Sequence, residues 1–299
     1  MSDYFLSSEI VHSSQKDADF TVIPFPLEKS VSYGSGTKDG PQAIIEASSQ
    51  LELDVEGYEE LELLKIHTQK PIDCSPSSLT EIFEEGKQRI LSSWENNSIS
   101  VLLGGEHSVT NSAIQAISHC YKEGEVGILQ FDAHMDLRDE YENSPYSHAC
   151  VMKRAVDHNI PIFQVGVRNF TKEEILVRQA HSISSLDASR IHAMRSGSLS
   201  FTEVSLAEDF PSKLYISFDV DAFDSSVMPA TGTPDPGGLF WWEAIQLLEH
   251  LSLKREIIGF DIVELAPIAH LHHCNYTAAK LTYFLMALAH ARNNKGRDQ

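Results

Sequence analysis

The chain is poor in cysteine, in basic residues and in long apolar runs, and each shortage excludes something. The four cysteines, Cys74, Cys120, Cys150 and Cys274, are far apart and form no C-x-x-C pair. A disulfide framework and a zinc ribbon are therefore excluded, and reduced thiols are expected, with Cys150 as a small buried apolar residue. No apolar run approaches the length of a membrane span. The opening residues Met1 to Leu6 lack a basic segment followed by an apolar one, so no secretory signal is expected and the expected location is cytoplasmic. Only 23 residues are Lys or Arg against 43 Asp or Glu, a formal net charge of −20. That balance argues against nucleic-acid or anionic-membrane surfaces, which need basic patches, and it is compatible with a cationic ligand. The glycine-rich stretch Tyr33 to Pro41 has Asp39 where G-x-G-x-x-G needs its third glycine, so it does not read as a dinucleotide site. Repeats, low-complexity tracts and linkers are also missing, and one domain over 1–299 is expected, with residues 1–18 as a polar, irregular arm or frayed segment.

What is present is a hydrophobic content of 42%, enough for a sizeable core, in short apolar runs that alternate with amphipathic ones. Strands are expected at 20–25, 99–103, 126–131, 161–167, 181–183, 214–218 and 256–262. Gly40-Pro41 leads into a helix with proline near its first position. Further helices are expected at 79–94, after His107 through Tyr121, after Asn169, at 240–251 and at 277–291. Residues 52–62 are acidic and 68–78 rich in Pro, Ser and Thr, as surface segments are. Alternating strands and helices imply an α/β fold: right-handed β-α-β units around a mainly parallel sheet.

The polar motifs share one position, just past the C-terminal end of a strand. After 126–131 come Asp132, His134 and Asp136. On extended backbone, residues two apart share a face, so these three converge. Mixed carboxylate and imidazole donors suit Mn, Fe or Zn better than Ca or Mg. Asp219 and Asp221 repeat the pattern after 214–218, His107 follows 99–103, and Glu264 follows 256–262. In open α/β sheets the ligand site lies beyond those ends. Two His and four Asp exceed the needs of one tetrahedral ion and would serve two ions bridged by carboxylates.

These residues also carry a resemblance. G-G-E-H-S at 104–108, F-D-A-H-M-D at 131–136, S-F-D-V-D-A-F-D at 217–224 and G-T-P-D-P-G-G at 232–238 are similar, in order and rough spacing, to the ureohydrolase family of arginase and agmatinase. S-P-Y-S-H-A at 144–149 and G-F-D-I-V-E-L-A-P at 259–267 fit as well, and the likeness covers roughly 31–290. D-A-F-D followed by T-P-D-P-G-G resembles agmatinases most. The resemblance implies a three-layer α/β/α, arginase-like fold. It implies two Mn2+ per chain, with His107 and Asp136 on one ion, His134 and Asp221 on the other, and Asp132 and Asp219 bridging. It implies His148 as proton shuttle near the mouth and Glu264 as holder of the guanidinium. The expected reaction is hydrolysis of agmatine to urea and putrescine, a step of polyamine biosynthesis, by a metal-bridging hydroxide, with Asp136 relaying a proton. A homotrimer or homohexamer is expected on the same ground.

Alternatives are another guanidino substrate (guanidinobutyrate, guanidinopropionate or arginine), formiminoglutamate, a non-catalytic binding relative, and a zinc deacetylase on a related fold. The loop 137–148 carries Asp139, Glu140 and Glu142, with Arg138 as its only cation; the acids would favour an ammonium over a carboxylate if they face the substrate and would be neutral to it if they face solvent, while Asn143 and Ser144 could serve a carboxylate, so the loop leaves the distal group open. His270, His272 and His273 read as a surface loop, Trp241 and Trp242 as packing or subunit-contact residues, Asp224 as a structural hydrogen-bond acceptor, and Arg168 as a rim or subunit-contact residue.

Overall fold

The computed structural model describes residues 3–294 apart from 196, 198–200, 202 and 203. Its strands are β1 (Phe20–Phe25), β2 (Ile66–Thr68), β3 (Ile99–Gly104), β4 (Val126–Phe131), β5 (Ile162–Val165), β6 (Ser184–Leu186), β7 (Lys213–Asp219) and β8 (Glu256–Val263). They form one sheet in the order β2-β1-β3-β8-β7-β4-β5-β6, and every pairing is parallel. The helices are α1 (Gly40–Ser48), α2 (Leu79–Glu95), α3 (Asn111–Cys120), α4 (Val151–Asp157), α5 (Lys172–Ala180), α6 (Ala188–Arg195), α7 (Trp241–Leu251) and α8 (His272–Asn294). One core joins apolar residues of α1, α6, α7 and α8 to one face of the sheet, and another joins those of α2, α3 and α4 to the opposite face. This is the three-layer α/β/α architecture expected. Coverage on both faces explains why β1 and β4 are buried at every position and read as nearly continuous apolar runs, interrupted by Thr21 and Gln130.

The sequence reading departs from the structure where elements are short or marginal. Edge strand β2 has three residues and sits beside polar sequence. Residues 181–183 form a turn, with Ser182 at a φ of 52°, and the strand starts at Ser184. Helices α4 and α6 have seven and eight residues, too few for a periodic signal. Helix α8 begins at His272, so His272 and His273 lie in its first turn rather than in a loop; with His270 they are exposed. Residues 3–18 are irregular apart from a short 3-10 turn, but they are not frayed. Phe5 and Leu6 are buried, and their amides donate to Thr68 Oγ1 at 3.1 Å and Ser48 Oγ at 2.8 Å. Among the described residues no helix is long and apolar enough to cross a membrane.

One close approach fixes the end of β3. A Cβ on Gly105 would lie 2.0 Å from the carbonyl oxygen of Leu27. The backbone there is bonded on all sides: Gly105 N to Phe25 O, Glu106 N to Leu27 O, and Glu264 N to Gly105 O, each at 2.8 Å. Since overpacking costs about 1–3 kcal/mol, Gly105→Ala is expected to lower the chemical-denaturation midpoint. An unchanged midpoint would contradict the close approach.

Candidate metal centre

Four strands adjacent at the middle of the sheet, β3, β8, β7 and β4, deliver the polar residues to one place. His107 opens a 3-10 turn after β3, and Asp221 lies in another directly after β7, of which Asp219 is the last residue. His107 Nδ1 is 3.0 Å from Asp136, 3.2 Å from Asp132 and 3.5 Å from Asp219. His134 Nδ1 is 3.0 Å from Asp221 and 3.5 Å from Asp132. Two groups result, His107–Asp132–Asp219 and Asp132–His134–Asp221, each with its donor atoms within 4.8 Å of one another. Asp132 belongs to both. Asp219 is placed in the first group alone, and Asp136 joins through His107.

Local backbone explains the convergence. The carboxylates accept from nearby amides: His134 N to Asp132 Oδ1 at 2.6 Å, Ala133 N to Asp221 Oδ1 at 3.0 Å, and Asp221 N to Asp219 Oδ1 at 2.8 Å. Gln130, two residues back on the same face of β4, donates to Asp132 Oδ2 at 2.8 Å. Asp136 and Glu264 both sit in the left-handed region, at φ of 53° and 64°, a conformation uncommon for non-glycine residues and typical of functional sites.

The electrostatics fit a site completed by cations. Burial and the Asp132 charge push Asp136 up to about 7. Burial, reinforced by Asp221 and Asp132, holds Asp219 well above the carboxylate range. Burial opposes a charged His134, yet Asp221 and Asp132 raise it to about 12. His107 is likewise held well above the ordinary value against burial, by Asp132 and Asp136. His107 Nε2 lies 2.9 Å from Ser217 Oγ, whose own proton goes to the buried Asp261 at 2.8 Å. Nε2 must therefore donate, which in the neutral ring leaves a lone pair on Nδ1 facing three carboxylates. That atom is buried and makes no hydrogen bond of acceptable geometry. A divalent ion is the partner that a lone pair and carboxylate oxygens share, so the residues fit a metal.

His107, His134, Asp136, Asp219 and Asp221 line a cavity of about 160 Å³, with His148, Glu264, Arg138, Tyr141, Phe170, Glu174 and Tyr33 around it, while Asp132 is wholly buried. Glu264 Oε1 accepts from His107 N at 2.6 Å. Its Oε2 lies 3.7 Å from where a side chain on Gly232 would begin. Burial, with a contribution from Glu106, pushes Glu264 up to about 8, against the bond from His107. His148 is lowered by burial, partly offset by the Glu106 charge.

Other residues fall elsewhere. Asp139, Glu140 and Glu142 do not line the cavity, and Asp139 pairs with Arg154 at 2.9 Å in solvent. Besides Glu264 and the aspartates of the donor groups, the cavity wall carries Glu174, which also caps α5 by accepting from Thr171 N at 2.9 Å. Arg168 is an internal staple: its Nη2 donates to the carbonyls of Asp221 and Asp235, both at 2.7 Å. Asp224 accepts from Gly237 N at 2.7 Å and Gly238 N at 3.2 Å, the structural role expected. Trp241 stacks on Phe223 at 6.2 Å, whereas Trp242 is exposed. Cys150 is buried. Sequence reasoning passed over Ser217, Asp261 and Glu106, although each is a polar residue inside or beside a quoted motif whose apolar neighbours mark it as buried.

Comparison with known proteins agrees with this geometry. A match to the arginase family covers residues 18–288. The chain is similar to an N(1)-aminopropylagmatine ureohydrolase of Thermus thermophilus, 35% identical with 91% of each chain covered. It is also similar to the agmatinase of Pyrococcus horikoshii, 32% identical over 92% of this chain and 93% of that one. The solved agmatine ureohydrolase of Thermoplasma volcanium superposes with a TM-score of 0.82 at 26% identity, over 99% of this chain and 97% of that one. With likeness of that depth along nearly its whole length, this chain belongs to the arginase family, resembles its agmatinases and N(1)-aminopropylagmatine ureohydrolases, and is an enzyme that hydrolyses a guanidino C–N bond.

Proposed function

We propose that the chain is a single-domain, cytoplasmic hydrolase of agmatine that holds two Mn2+ and releases urea and putrescine. The observation that carries the reading is the pair of donor groups sharing the buried Asp132, whose other members line a cavity together with Glu264 and His148. His107 and Asp136 would hold one ion, His134 and Asp221 the other, with Asp132 and Asp219 between them. Two cations held there would supply Lewis acidity, making water a competent nucleophile near neutral pH against a resonance-stabilised guanidinium.

The chain's own residues do the rest. A guanidinium beside Glu264 favours its charged form and can donate a fork of hydrogen bonds to it. That contact orients the carbon toward the metal ligands. Expulsion of an amine requires a proton, which Asp136 is placed to relay within the ligand set. His148, outside that set and titrating below the ordinary histidine range because it is buried, suits proton exchange with solvent.

A second substrate reading has its own support. Of the relatives more than 30% identical, those of Thermus, Synechocystis and Thermococcus kodakarensis are named N(1)-aminopropylagmatine ureohydrolases. That longer polyamine would extend toward the exposed Tyr33 on the cavity wall. Both readings place an amine, not a carboxylate, at the distal end. The expected assembly is a homotrimer or homohexamer, by family likeness, and a monomeric mass in light scattering would reject it.

Saturation with Mn2+ is expected to give about two equivalents per chain, and Asp132→Asn is expected to lose metal from both positions. One equivalent with full activity, or unchanged metal in the variant, would overturn the binuclear assignment. Agmatine is expected to exceed arginine in kcat/KM by at least about 10²-fold, some 2.7 kcal/mol, because Arg138 on the cavity wall already faces Glu174 at 4.0 Å, which leaves a further carboxylate poorly paired. Comparable values would reject agmatine as the substrate, and a clear preference for N(1)-aminopropylagmatine would select the longer polyamine.

A further inference from the structure

Glu106 is wholly buried, yet among the described residues it pairs with no Lys or Arg. A buried carboxylate is costly unless its oxygens are satisfied, and here four donors satisfy them. Oε2 takes the amides of Lys29 and of Ser30, the latter at 2.6 Å. Oε1 takes the hydroxyls of Ser30 at 2.8 Å and Ser108 at 2.5 Å. Two of the four come from Ser30, on the irregular segment that leads to the cavity mouth at Tyr33.

The hydroxyl proton of Ser30 is thereby committed to Glu106, so its oxygen can only accept from its other neighbours. Both of those belong to His148: the backbone amide donates at 2.9 Å, and Nδ1 lies 3.3 Å away. An oxygen with no proton to give favours the form of the ring with hydrogen on Nδ1, and it leaves Nε2 as the nitrogen that gains and loses a proton. Among the described residues Ser147 Oγ, also 3.3 Å from Nδ1, is the other hydrogen-bonding contact of the ring, and Tyr141 meets it edge-on at 5.8 Å between centroids. A carboxylate acting on a histidine through a fixed group is a known way to set its tautomer and orientation.

We propose that Glu106, acting through Ser30, is a positioning residue that holds His148 in the orientation and tautomer needed to move protons. This deepens the reading of His148 as proton carrier and rests on it. The competing role for the Glu106–Ser30 pair is a staple that pins the mouth segment to the end of β3. The two differ in what Ser30 does to turnover when binding and stability are intact.

The test uses the full-length Mn-loaded enzyme with agmatine or N(1)-aminopropylagmatine, whichever it turns over faster. Ser30→Ala, Ser30→Thr, His148→Asn and the Ser30→Ala/His148→Asn double variant are compared for kcat, KM, metal content and thermal midpoint. General acid–base groups contribute about 10²–10⁴-fold, so His148→Asn is expected to lose that much kcat with its metals retained. Ser30→Ala is expected to lose about 10-fold or more in kcat, with KM and metal content near wild type, as for loss of an interaction that matters only in the transition state. Ser30→Thr, which keeps the hydroxyl, is expected to restore most of it. In the His148→Asn background Ser30→Ala is expected to cost nothing further, because residues acting as a unit are not additive. Equal losses in both backgrounds, or a lowered thermal midpoint with kcat intact, would overturn the relay while leaving His148 in place. Full kcat in His148→Asn would overturn the role of His148 and the relay with it.

Discussion

The structure is organised by buried negative charge. Asp132, Asp136, Asp219, Asp221 and Glu264 are all buried, and they gather at the C-terminal ends of four adjacent parallel strands, with Asp261 just beneath and Glu106 alongside. Isolated charges in such a medium cost several kcal/mol each. Backbone amides and the side chain of Gln130 offset part of that cost. The remainder explains why Asp136, Asp219 and Glu264 are shifted upward and both histidines are drawn toward the charged form. Two divalent ions and a cationic guanidinium are the species that this excess of negative charge favours, so metal affinity and substrate choice have one electrostatic origin.

The surrounding loops are held close enough to keep that charge in place. Arg168 binds the carbonyls that follow β7 to the loop at 231–238, and Asp224 binds the amides of Gly237 and Gly238 from the other side. Gly34 and Gly232 meet backbone to backbone, so near that a Cβ on Gly34 would lie 2.8 Å from the Gly232 carbonyl oxygen. Asp136 and Glu264 both take left-handed backbone in the segments that leave β4 and β8. The cavity is small because these contacts are close, and it is polar because the strands end there.

Much of this was legible in the sequence. Strands covered on both faces appear as nearly continuous apolar runs, and a D-x-H-x-D or D-x-D directly after such a run reports a strand end whose donors share a face. The short elements were not legible: β2, α4 and α6 are held by contacts from distant segments, not by their own periodicity. Residues 3–18 look like a loose arm because their anchors are scattered single contacts with distant segments: Phe5 and Leu6 on Thr68 and Ser48, His12 on Thr68, Ser13 on Ile66 and Gln15 on Ser92.

The sequence by itself determined the alternation of elements, the placement of polar motifs at strand ends, and the donor types available for a metal. Only the tertiary structure decided that β3, β8, β7 and β4 lie side by side, which is what lets donors 25 to 157 positions apart in the chain face one cavity. It also decided that Asp139, Glu140 and Glu142 point away from the cavity while Glu174 lines it, and that Glu106 reaches His148 through Ser30. The physical reason is that a run of residues reveals its own period and polarity, whereas the partner of a buried charge is chosen by whichever backbone or hydroxyl the fold brings within hydrogen-bonding distance.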